Sequence, residues 1–176
     1  MLAPMPDLVL TGASRGIGRS LALALAPRRD RLVLVARDEA RLSSLAEEVK
    51  TRGCPADAVA GDLASVSSAR ALGDRLAAML EPGATLVHNA GPWPARRQVG
   101  ADGLEASFVV NHLGPLAMQQ PLLACGKLRR IMVVSAGLIA LRRFDARRTP
   151  TGADFSTWRT YCNTKLALSG LSCAAR

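Results

Sequence analysis

Aromatic side chains are scarce in this chain: two Trp, one Tyr and three Phe make up 3% of its 176 residues. That leaves little material for a surface that stacks nucleic-acid bases, and it obliges a core to be built from Leu, Val and Ala. Cysteine is sparse as well. Cys54, Cys125, Cys162 and Cys173 show no C-x-x-C spacing, and no His lies near enough in sequence to complete a zinc knuckle, so no metal site is expected. Reduced thiols in a cytoplasmic setting are the expectation. No apolar run is long enough to span a bilayer, and because the first strand signal begins by position 7, no signal peptide is expected. Acidic residues are the minority charge, 14 Asp+Glu against 23 Lys+Arg, for a net +9. An excess of that sign suits nucleic acid, an anionic membrane or small anions. The Arg residues are spread along the chain rather than stacked on one helix, so small anionic ligands are preferred and nucleic-acid binding rests on charge alone.

Aliphatic residues are what the chain has in quantity: 49% of it is hydrophobic and 21% charged, the balance of a globular protein. Short apolar runs at 7–10, 31–36, 56–60, 84–88 and 130–135 predict five strands. The continuous run at 31–36 suits a parallel strand covered on both faces. Between them, helical spacing predicts helices over 19–26, 38–52 (stopped by Gly53), 65–80 (capped by Ser65) and from Asp102 toward Leu123, bent at Gly114-Pro115. A last helix, capped by Ser156 or Thr157, follows a basic loop over 137–155. Alternating strand and helix predicts a parallel sheet with helices on both faces and right-handed crossovers. With no repeat and no linker, one domain over 1–176 is expected.

One turn organises the rest. Thr11-Gly12-Ala13-Ser14-Arg15-Gly16-Ile17-Gly18 joins the first strand to the first helix, an order that forms a phosphate cradle. Gly12 permits a tight exit, Gly16 lets backbone approach a pyrophosphate, and Gly18 lets the helix pack closely. The spacing is G-x-x-x-G-x-G rather than G-x-G-x-x-G. Four further groups stand at predicted strand ends, where ligands of open α/β sheets sit. Arg37 follows the second strand where an acid would bind a ribose hydroxyl; with Arg15 it suits a 2′-phosphate, while Asp38 reads as a helix N-cap that leaves room for NAD. Asp62 could accept from an adenine amino group or serve only as a turn residue beside Gly61. In Asn89-Ala90-Gly91 the small residues let backbone pass a ligand, and Asn89 can tie neighbouring strands. Tyr161 and Lys165 share a helix face at i, i+4; an ammonium near a phenol lowers its pKa and equips it to move a proton at a carbonyl or alcohol.

In this order the pieces Thr-Gly-Ala-Ser-Arg-Gly-Ile-Gly (11–18), Gly-Asp-Leu (61–63), Asn-Ala-Gly (89–91), Asn111 in Val-Asn-His-Leu-Gly-Pro, the strand ending at Ser135 and Tyr-Cys-Asn-Thr-Lys (161–165) resemble the short-chain dehydrogenase/reductase family, most of all its retinol-dehydrogenase-like branch. The resemblance implies a Rossmann-type doubly wound sheet in order 3-2-1-4-5, a homodimer or homotetramer, and interconversion of a small-molecule alcohol and carbonyl with NADP(H) in preference to NAD(H). It places the cofactor against Thr11, Gly12, Ser14, Arg15, Gly16, Ile17, Gly18, Arg37, Asp62, Leu63, Asn89, Ala90, Gly91, Tyr161 and Lys165. In that scheme Tyr161 is the general acid, Lys165 lowers its pKa and holds ribose hydroxyls, Asn111 anchors a water, and a serine, here Ser135, holds the substrate oxygen.

Two departures stand out. The family's fifth strand ends in two small hydroxyl residues, the second catalytic, whereas Ser135-Ala136 puts Ala136 there unless the register shifts by one. Family members also continue past the position of Arg176 with a sixth strand, a Pro-Gly turn, a substrate loop and a seventh strand; a naturally shortened relative, a frameshift product and a fragment are the alternatives, and the fifth strand is expected as an exposed apolar edge. The alternative function is therefore an NADP(H)-binding module with little turnover.

Overall fold

The computed structural model describes residues 6–137, 139 and 143–174; the Cys173 side chain and part of the predicted basic loop lie outside them. Five parallel strands, β1 (Leu8–Thr11), β2 (Leu32–Ala36), β3 (Ala56–Ala60), β4 (Ala84–His88) and β5 (Leu128–Val133), form one sheet in the order β3-β2-β1-β4-β5. This is the doubly wound arrangement with its order reversal between β1 and β4. The helices are α1 (Gly16–Leu25), α2 (Glu39–Thr51), α3 (Val66–Met79), a single turn α4 (Ala106–Phe108), α5 (Gly114–Ala124) and α6 (Thr157–Ala174).

The apolar strands look uniform in sequence, yet period-two geometry sorts them. Leu8, Leu10, Leu32 and Leu34 pack with Ala22, Leu42, Leu45 and Val49 of α1 and α2. Their neighbours Val9, Val33, Val35 and Val59 pack with Leu72 and Leu76 of α3 and Met118 and Leu122 of α5. At the end of the sheet where the strands begin, the Arg31 guanidinium bridges Asp7 (3.0 Å) and Asp57 (2.7 Å), pinning the starts of three strands.

Most element bounds follow the sequence within one or two residues. Asp38 and Ser65 do cap their helices, accepting from Arg41 N–H and Ser68 N–H, and Ser156 Oγ accepts from Arg159 N–H at the start of α6. Three differences matter for the site. α1 begins at Gly16, not residue 19, so the last two glycines of the turn lie inside the helix. Asp102 does not start a helix; its carboxylate accepts from Val66 N–H at the start of α3. The next helix starts instead at Ala106, where Glu105 accepts from Phe108 N–H as the cap, and Val109–Leu113 then forms a π-helical turn before α5. The expected bend is thus a wide turn that absorbs an extra residue just at Asn111. Finally, β5 stops at Val133, two residues before Ser135.

Candidate active site

At the carboxyl end of β1 the chain turns with Gly12 at φ +68°, and α1 follows with no side-chain cap and no acidic residue in its first turn. Its leading amides therefore keep donors directed at the space ahead, with the positive end of the helix dipole behind them. Close packing fixes this turn. A Cβ on Gly12 would come 2.8 Å from Ala90 Cα, and one on Gly18 would collide with the Gly12 carbonyl and come 2.6 Å from Asn89 Nδ2. Gly18 thus packs the helix against the turn itself rather than against the sheet. Asn89 ties β4 to this turn, donating from Nδ2 to the carbonyls of Thr11 (3.0 Å) and Gly12 (3.3 Å). Thr11 Oγ1 in turn donates to Val87 O and accepts from the Asn89 and Ala90 amides.

A single cleft of about 1040 Å³ runs along these strand ends. Every residue that the sequence assigns to the cofactor lines it, from Arg37 at one end to Tyr161 and Lys165 at the other. At the first end Arg15 and Arg37 are exposed. The Asp38 carboxylate is spent twice, on Arg41 N–H (3.0 Å) and on the Arg41 guanidinium (3.1 Å). Arg41 also lines the cleft; the sequence showed it only as one arginine among many. Asp62 gives one oxygen to Ala64 N–H (3.0 Å), so it is a turn residue that also faces the cleft. Ile17 is 68% exposed at the mouth of the cradle, apolar surface that a bound nucleotide would cover.

At the other end Lys165 is only 2% exposed and donates to the carbonyls of Ala90 and Val134, both at 3.3 Å. Burial brings its pKa down to about 8. Gly91 makes room for it, since a Cβ there would collide with Lys165 Nζ and come 2.6 Å from Cε. Tyr161, one turn earlier on α6, lines the cleft with Trp93 packed against it, ring centroids 4.5 Å apart and planes tilted by 32°. Burial, with the neighbouring Cys162 thiol second, pushes the Tyr161 phenol up. The expected lowering by Lys165 does not show here: burial dominates, and two of the three ammonium protons are held by backbone carbonyls.

Two expected site residues are not on the cleft surface. Asn111 is fully buried behind it, donating to Thr164 Oγ1 (3.0 Å) and to Pro92 O (3.3 Å), and its Oδ1 is left without a partner. Ser135 is exposed, and its hydroxyl pairs with Ser169 Oγ at 2.8 Å. Because β5 ends at Val133, it is Val134 that reaches the cleft, and neither Ser135 nor Ala136 lines it. Trp93 and Glu105 are among the lining residues that sequence reasoning passed over. Glu105 is wholly buried with one oxygen unpartnered, and desolvation raises its pKa; its place three residues before Phe108, as a capping acid, was the available signal.

Residues 7–140 match the family model described as short chain dehydrogenase. Human retinol dehydrogenase 13 is 31% identical over 172 residues, covering 94% of this chain and 52% of that protein. The chain spans about half the length, or less, of the curated relatives it matches. Among solved structures, a metagenomic short-chain oxidoreductase in complex with NADP superposes with a TM-score of 0.74 at 27% identity, covering 97% of this chain and 74% of that one. A short-chain dehydrogenase from Sphingobium yanoikuyae in complex with NADPH gives 0.73 at 26% identity, covering 97% and 64%.

Proposed function

The chain belongs to the short-chain dehydrogenase family, and on that premise we propose that it binds NADP(H) and interconverts a small alcohol and its carbonyl. One observation carries this reading: the uncapped start of α1 with Arg15 and Arg37, and the Tyr161–Lys165 pair, open onto the same cleft. The cradle fits a pyrophosphate, because Gly12 and Gly18 have no room for a side chain, the space at Gly16 is open, and the leading amides of α1 have no competing cap. The arginine end fits a 2′-phosphate in preference to a bare ribose hydroxyl, because the acid that would accept from that hydroxyl, Asp38, is already bonded to Arg41. When bound there, NADPH would supply the hydride.

The chain's own residues would orient, exclude water and move the proton. Tyr161, with its phenol pushed up, is protonated at neutral pH and can donate to a carbonyl oxygen as it becomes an alkoxide. Lys165 stays mostly cationic at neutral pH, with a pKa of about 8. Its third proton can hold ribose hydroxyls or stabilise the phenolate left after transfer. Asn111 Oδ1, buried and unpartnered, can order a water behind Lys165 to return the proton. A second reading is favoured by Ser135, whose turn toward Ser169 leaves no serine hydroxyl at the substrate oxygen: an NADP(H)-binding chain with little turnover. Expected assembly into a dimer or tetramer through the helices carrying Asn111 and Tyr161 is open to gel filtration.

The test is a titration with NADPH followed by cofactor fluorescence, then a panel of aldehydes and ketones. Binding with turnover supports the first reading. Tyr161→Phe should then lower turnover by roughly 100-fold or more while the NADPH dissociation constant stays unchanged. Binding without turnover moves the conclusion to the second reading, and absence of binding rejects both.

A further inference from the structure

Both tryptophans and the only tyrosine of this chain meet at one place. Trp93 lies on Tyr161 with centroids 4.5 Å apart and planes at 32°, and on Trp158 at 5.6 Å and 57°. Trp158 stands in the first turn of α6, one turn before Tyr161, so a single helix face carries both. A loop anchor would account for such a cluster if the indole were buried, but Trp93 is 50% exposed and lines the cleft. Two other contacts fix its loop: Pro94 is buried, and Asn111 Nδ2 holds the Pro92 carbonyl. Prolines on both sides restrict the backbone around Trp93, so little freedom remains to be lost when a ligand settles on the ring. Pro92, Ala95, Ala106 and Val110 share the same cleft and are apolar.

We propose that Trp93 is a specificity-determining residue, a preset stacking wall that favours planar aromatic carbonyl compounds by holding their ring beside the Tyr161 hydroxyl. The proposal rests on the reading of Tyr161 as proton donor, yet its binding step can be measured without turnover. An exposed indole offers a flat, polarisable face on which aromatic rings pack better than flexible alkyl chains.

The test is calorimetric titration of the full chain with acetylnaphthalene and with dodecanone, ketones matched in carbon number, each with and without NADP⁺, a mixture in which no hydride can move. Acetylnaphthalene is expected to bind the more tightly. Trp93→Leu keeps an apolar side chain and should weaken acetylnaphthalene binding about tenfold with dodecanone and NADPH affinities unchanged, and Trp93→Phe should retain most of the affinity. Equal losses for both ketones, no loss, tighter binding in the Leu variant, or no acetylnaphthalene binding by the wild-type chain would each overturn the proposal. Failure of NADPH to bind, with ketone binding intact, rejects the cofactor reading and leaves the stacking wall standing.

Discussion

Single atoms decide most of what this site can do. The Gly18 position has no space for a methyl group, because the obstacles are the Gly12 carbonyl and the Asn89 amide, which itself holds the turn. Gly18→Ala is therefore expected to lower stability by about 1–3 kcal/mol through forced backbone displacement, and to weaken NADPH binding with it. Gly170→Ala, where nothing lies within 4 Å, should be neutral or slightly stabilising, up to about 1 kcal/mol from helix propensity. Urea denaturation of the two variants with a nucleotide titration of each checks the contrast; equal effects would mean that Gly18 is not a packing residue. Lys165 shows the opposite economy at residue scale. Burial opposes its charge, yet two carbonyls and a glycine-shaped gap keep it in place, so the site holds a cation poised to be relieved by a ligand.

At the scale of elements, β4 and α5 are joined by a buried polar pair. His88 Nε2 lies 2.9 Å from Gln119 Oε1, and burial, aided by the charge of Lys165, pulls the His88 pKa down to about 4. The sign is then fixed. The unfolded chain, near the ordinary 6.5, binds the proton more readily than the folded one, so stability conferred by neutral His88 is complete above pH about 6.5 and is lost as pH falls toward 4. The loss should approach roughly 3 kcal/mol across that window. His88→Asn should flatten the acid limb of the stability profile, measured as the urea midpoint against pH; an unchanged limb would reject the assignment. Element boundaries also explain where the site departs from expectation. The π-helical turn at Val109–Leu113 places Asn111 inward, and the early end of β5 turns Ser135 outward.

Across the whole molecule the cleft gathers residues from the ends of β1, β2, β3 and β4 and from α6, so one ligand would bridge every layer of the sheet's upper edge. NADPH at about 100 times its dissociation constant should then add about 2.7 kcal/mol, which for a chain of this size raises the melting temperature by about 5–10 °C. NADH at the same concentration should shift it much less, because Arg15 and Arg37 gain no phosphate. A thermal melt with each nucleotide checks this, and equal shifts would remove the argument for the 2′-phosphate. No helix among the described residues is long and apolar enough to cross a membrane. Among the described residues β5 forms one edge of the sheet, with Arg129, Arg130 and Met132 exposed along it.

Local chemistry was enough for the order of elements, the glycine cradle, the caps at Asp38 and Ser65 and the face shared by Tyr161 and Lys165, while the order of strands in the sheet came from the family resemblance. Each of the local readings depends on neighbours within a few positions, or on an alternation along the chain. Only the folded chain could decide which way Ser135 turns, that Lys165 spends its protons on Ala90 and Val134, that Arg41 occupies Asp38, and that Trp93 lies on Tyr161. The bonds of Ser135 and Lys165 and the Trp93 contact join groups more than thirty positions apart, and the Asp38–Arg41 pair, though local, competes with a ligand brought in by other strands. Where a side chain points is set by what else packs there, and periodicity along the chain carries no record of that.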